Sequence, residues 1–86
     1  MALYLLSYDL HEPNFNYQSF YDALNAMEAR HIQDSVWGVR TTSSAEVVYK
    51  YLWRHMYSPK DRLLVVMFDK TQSFQTINCI SKLSDL

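Results

Sequence analysis

Glycine is almost missing from this chain: Gly38 is the only one in 86 residues. Phosphate-cradling loops need several glycines so that backbone amides can approach the anion. A P-loop or a dinucleotide-binding turn is therefore excluded. Cysteine is equally scarce. Cys79 stands alone, which rules out an internal disulfide and a cysteine-built zinc site. No apolar run approaches the ~20 residues of a membrane span, so no membrane is expected among its partners. The opening Met1-Ala2-Leu3-Tyr4-Leu5-Leu6 has no basic segment and soon meets Asp9, so it does not read as a secretory leader. The expected compartment is the cytosol, and the protein is expected to be cytoplasmic. Positive charge is absent from residues 1–29, where Asp9, Glu12, Asp22 and Glu28 give −4. Residues 30–86 set eight Lys and Arg against Asp34, Glu46, Asp61, Asp69 and Asp85, giving +3 and a total of −1. A polyanion would have to meet the second half, because an overall basic footprint is lacking.

What is present is a globular composition, 49% hydrophobic and 20% charged, unlike a disordered chain. The length suits one small domain. Leu3 to Leu10 reads as a strand that is apolar on both alternating sets, so both of its faces should be covered. Pro13 and two asparagines make 11–16 a loop, and Asn16 is placed to cap a helix. Tyr17, Phe20, Tyr21, Leu24 and Met27 then recur at helical spacing. His31 to Trp37 alternates as a strand, Gly38 marks a turn or bulge, and Val39 to Thr41 forms a short return strand. Ser43 and Glu46 have the spacing of a capping box. The helix they open runs to about Tyr57, with Val47, Val48, Tyr51, Leu52 and His55 facing inward. Ser58-Pro59 stops it. Arg62 to Asp69 is a second strand apolar on both sets.

This order predicts an α+β, ferredoxin-like β-α-β-β-α-β sandwich over residues 1–69. Residues 70–86 form a C-terminal tail that packs on the domain or on a dimer partner. Within the tail, Phe74, Ile77, Ile80 and Leu83 suit a helix or an edge strand. Helices cover only one sheet face in such a fold, so the other face needs a cover. A second copy, giving a sheet-packed homodimer, is the first candidate, and the tail is the other.

Among residues that carry chemistry, Asp9 ends the first strand beside Tyr8. A carboxylate there suits a divalent cation such as Mg²⁺, which takes one or two carboxylates plus water and phosphate. A two-fold axis would bring two copies of Asp9 together. His11, in the adjoining loop, is the one histidine placed as a proton shuttle. His31 and His55 have no metal-ligand spacing, and His55 reads as a structural core residue. The outer face of the second helix carries Tyr49, Trp53 and Tyr57 at i, i+4 and i+8, with Lys50 and Arg54 beside them. Such a stripe suits a protein contact, a tail folded over it, or stacking on unpaired nucleobases.

Tyr4-Leu5-Leu6-Ser7-Tyr8-Asp9-Leu10, Gln33-Asp34-Ser35-Val36-Trp37 and Asp61-Arg62-Leu63-Leu64-Val65-Val66 together resemble the Cas-two family of small CRISPR-associated proteins. The resemblance is strongest to its stand-alone SinR-type relatives and runs over residues 3–69. It implies a sheet-packed homodimer and nucleic acid as partner. It also implies, for some members, metal-dependent phosphodiester cleavage with Mg²⁺ or Mn²⁺ at the aspartate ending strand one, here Asp9. In other members the dimer is a DNA scaffold without catalysis. Ser35 falls at a polar position of the family's Gln-x-Ser-Val motif, as a neighbour of the site. The chain departs from the family in having no basic residue from His11 to Ala29, where phosphate contacts would be expected. The resulting expectation is a nucleic-acid-related dimer, with endonuclease activity resting on Asp9. The alternative is a non-enzymatic dimeric module that holds a protein partner through Tyr49, Trp53 and Tyr57.

Overall fold

Alternation in the first strand decides the layering. In the computed structural model, which describes residues 1–86, strand β1 (Ala2–Asp9) is the central element. Its Tyr4, Leu6 and Tyr8 are buried under the helices, while Leu3, Leu5 and Ser7 point to the opposite face and are only half-buried. Helix α1 (Gln18–Ala26), strands β2 (Arg30–Gln33) and β3 (Val36–Thr41), helix α2 (Ala45–Trp53) and strand β4 (Arg62–Phe68) follow. The four strands form one antiparallel sheet in the order β2-β3-β1-β4. This small α+β architecture, with two helices on one sheet face, is compatible with the expected ferredoxin-like sandwich. No helix is long and apolar enough to cross a membrane.

The main core lies between sheet and helices. Phe20, Ala23 and Leu24 of α1 and Val48 and Leu52 of α2, joined by Met56, close on Tyr4, Leu6, Tyr8, Trp37 and Val39. Burial of these apolar side chains is the main favourable term, at about 25 cal/mol per Å² removed from water. Asn16 is not the cap of α1: the capping position is Tyr17, which makes no side-chain cap hydrogen bond, and Asn16 Oδ1 accepts the Gln18 N–H at 2.9 Å in a turn one residue earlier.

Four other local expectations are corrected. Gly38 is no turn: it lies inside β3, and the hairpin turns at Asp34–Ser35. Its missing side chain has another cause, because a Cβ there would stand 2.5 Å from Leu86 Cδ1. The cap of α2 is Ser44, whose Oγ accepts the Val47 N–H at 3.3 Å, not Ser43. Glu46 pairs instead with Lys50 at 2.8 Å. Helix α2 stops at Trp53 and tightens into turns at 54–56, short of Tyr57. Finally, Val48, Leu52 and Met56 form its buried line, while Val47 is 54% exposed. At 100° per residue, the inner face is rotated by roughly 70° from the one expected of Val47, Val48, Tyr51, Leu52 and His55 together.

The tail forms neither an α-helix nor a strand, only a 3-10 turn at Leu83–Asp85. Leu83 and Leu86 pack with Ile32 against Leu3, Leu5, Val36 and Phe68, building a second, smaller core on the sheet face away from the helices. The Ile80 N–H donates to the Ile32 carbonyl at 2.7 Å, tying the tail to the β2 edge. The tail therefore does not fold over the aromatic side chains of α2, which lie on the other side of the sheet.

Candidate functional site

Asp9 closes β1 on the sheet face opposite the helices, directly across from Arg62. Arg62 Nη1 approaches Asp9 Oδ2 at 3.6 Å, and both side chains are largely exposed. Neighbouring strand positions alternate faces, so Tyr8 belongs to the core instead. Its phenol accepts the Trp37 Nε1–H at 3.2 Å, and its ring meets Phe20 edge-on at 5.0 Å. Burial pushes the Tyr8 phenol up to about 12, only partly opposed by the Trp37 hydrogen bond. Ser35 sits at the hairpin turn with an exposed side chain, and its carbonyl accepts the Tyr8 N–H at 3.1 Å. His11 is exposed two residues beyond Asp9.

No three His, Cys, Asp or Glu side chains are gathered as a metal-binding group. Within one chain the Mg²⁺ or Mn²⁺ expectation meets a single carboxylate already paired with a guanidinium, whose positive charge opposes a divalent cation. A shared site would need a second copy of Asp9.

The segment after Asp9 is fixed by a residue whose role the sequence pattern does not single out. Asp61 is a buried carboxylate, only 6% exposed. Its Oδ1 accepts the His11 N–H at 2.8 Å and the Tyr17 hydroxyl at 2.8 Å, and its Oδ2 accepts the Tyr57 N–H at 2.7 Å. One side chain thus pins the loop after β1, the start of α1 and the turn before β4. The available signal was Asp61 four residues after Tyr57, across the Ser58-Pro59 stop, where a carboxylate can satisfy a free amide. Burial and the hydrogen bond to Asp61 raise the Tyr17 phenol above its ordinary value.

The stripe on α2 is divided. Tyr49 is exposed and its ring lies 6.4 Å from that of Trp53, which packs half-buried against the main core. Tyr57 turns toward Phe15 at 5.6 Å, and Phe15 meets Tyr17 at 4.8 Å. Lys50 and Arg54 stand on the other flank of α2 beside Tyr51, with the Arg54 guanidinium 5.6 Å from the Tyr51 ring centre. The bases and Tyr49 therefore line different grooves.

The open sheet face is covered on one side only. The tail lies over β2, β3, the start of β1 and Phe68 at the end of β4. On the β4 side, Leu64 is 60% and Val66 45% exposed. The register places both on the face of Asp9, since Leu5 faces Val66, Ser7 faces Leu64 and Asp9 faces Arg62. Arg30 and Arg40 share that face beyond the tail, being aligned with Gly38 and Leu3. No family model matches the chain, and no curated protein matches it.

Proposed function

We propose that the chain acts as a Cas-two-like homodimer that engages nucleic acid, packed through the half of the sheet face that its tail leaves open. The row Arg62, Leu64, Val66 along β4 carries this reading: two exposed apolar side chains stand beside the Asp9–Arg62 pair on one face. Burying such a patch against its own copy satisfies the apolar surface and the geometry of a two-fold contact, in which the same residues serve both sides. It would also bring two Asp9–Arg62 pairs to one seam. A divalent ion is then a demand on the dimer, with Asp9 from each copy as its ligand. Arg30 and Arg40 would supply phosphate contacts on the same side of the sheet.

The experiment is a panel of labelled RNA, single-stranded DNA and duplex DNA, titrated with Mg²⁺ and Mn²⁺ over a salt series, beside Asp9→Ala. Binding that weakens steeply with salt supports phosphate contacts. Metal-dependent cleavage lost in Asp9→Ala makes the protein an endonuclease, and binding without cleavage makes it a scaffold. Absent or salt-insensitive binding overturns the nucleic-acid reading. In that case the non-enzymatic module, holding a protein through α2, gains weight. Its support is Tyr49, which shares a groove of about 360 Å³ with Leu63 and Leu64.

A further inference from the structure

The flank of α2 that carries its two cations borders a cleft of about 500 Å³. That volume lies within the usual ~300–1,000 Å³ of small-molecule sites. Met27 from the end of α1 and Val47 give it apolar walls, Thr41 closes the β3 end, and Lys50, Tyr51 and Arg54 line the helix side. The cleft is on the helical side of the molecule, away from Asp9 and the tail.

Its chemistry is specific in combination. Arg54 has no carboxylate partner, and its guanidinium lies 5.6 Å from the centre of the Tyr51 ring, within reach of a cation–π contact. Lys50, one turn earlier, is held by Glu46 at 2.8 Å, but both side chains are mostly exposed. Water screens such a pair, so an incoming anion can compete for the ammonium. Thr41 Oγ1 accepts the Ser43 N–H at 3.2 Å, which leaves its own hydroxyl proton to give. A guanidinium and an ammonium recognise phosphate, the first in a bidentate fork. An aromatic ring with apolar walls takes a flat heterocycle, and a hydroxyl suits a sugar.

We propose that this cleft is a binding site for a nucleoside monophosphate, with Arg54 and Lys50 on the phosphate and Tyr51, Met27 and Val47 against the base. The site stands apart from the sheet face: Asp9→Ala leaves it intact.

The test is an amide nitrogen–proton NMR titration of the full chain with AMP, adenosine and inorganic phosphate at constant ionic strength. AMP should produce saturable shifts centred on Met27, Thr41, Lys50, Tyr51 and Arg54. Adenosine and phosphate alone should each bind at least about tenfold more weakly, since each lacks half of the contacts. Arg54→Ala should weaken AMP about tenfold or more by loss of the charge-assisted fork, and Arg54→Lys should fall between. Arg54 is exposed, so these variants keep the fold, which the same spectra report. Absence of saturable shifts, shifts centred elsewhere, phosphate alone binding as well as AMP, or unchanged affinity in Arg54→Ala would each overturn the proposal.

Discussion

Tyr17 and Asp61 are 44 residues apart in the chain, and the Tyr17 hydroxyl donates to Asp61 Oδ1 at 2.8 Å. The same oxygen accepts the His11 N–H, and the other oxygen accepts the Tyr57 N–H. Three segments around the Asp9 end of the sheet are therefore held by one buried carboxylate. Removing a buried acceptor leaves its donors without partners, which costs more than the hydrogen bonds contribute net. Asp61→Ala should lose about 3 kcal/mol of stability in urea unfolding, and Tyr17→Phe about 1 kcal/mol. A loss below about 0.5 kcal/mol for Asp61→Ala, the range of ordinary surface changes, would contradict the clasp.

Tyr8 gives a prediction at alkaline pH. Its folded pKa is raised from 10.0 to about 12 by burial, so the folded state holds the phenolic proton more tightly than the unfolded state. Its contribution is fully present below pH 10 and is lost as pH rises through 10 to 12. The loss is on the order of 2 kcal/mol. Urea melts at pH 9 and above pH 11, compared between wild type and Tyr8→Phe, should differ in slope with pH. Parallel curves would contradict it.

The stripe on α2 separates into a structural and a surface residue. Trp53 packs half-buried against the core, so Trp53→Ala should cost about 2–3 kcal/mol. Tyr49 is exposed, and Tyr49→Ala should stay within about 0.5 kcal/mol. Equal effects of the two in thermal or urea unfolding would contradict this division.

Gly38 predicts the behaviour of the tail. Alanine there would press on Leu86 Cδ1. Leu86 is a rotatable side chain and can move, at about 1 kcal/mol of lost packing. The change should appear as faster hydrogen exchange at the Ile80 amide, which donates to Ile32, with the Tyr4 and Leu6 amides of the main core unaffected. Unchanged exchange at Ile80 would contradict the contact.

Strand and helix order was legible because it rests on local signals: the two-residue alternation of β1, the helical spacing around Phe20 and Leu24, and the Ser58-Pro59 stop. What was not legible depends on partners distant in sequence. Gly38 looks like a turn residue until Leu86 is placed over it. The rotation of α2 is set by Met56, which lies beyond its last helical residue and joins the core through the fold. The spacing of Phe74, Ile77, Ile80 and Leu83 suggests a regular element, but the tail is ordered by Ile32 and the outer sheet face instead. At the site, Asp9 could be found by its position at a strand end. Its pairing with Arg62 required the register, and the role of Asp61 required three segments to meet.

The most direct measurement is the solution mass of the full chain by light scattering after gel filtration, over a concentration series, beside Val66→Lys. The sheet-face dimer predicts twice the 10.2 kDa chain for the wild type. Val66→Lys, which places a charge in the middle of the exposed β4 row, should return the mass to that of one chain with an unchanged fold. A wild type that stays at the single-chain mass throughout, or a Val66→Lys variant that dimerises as the wild type does, would contradict it.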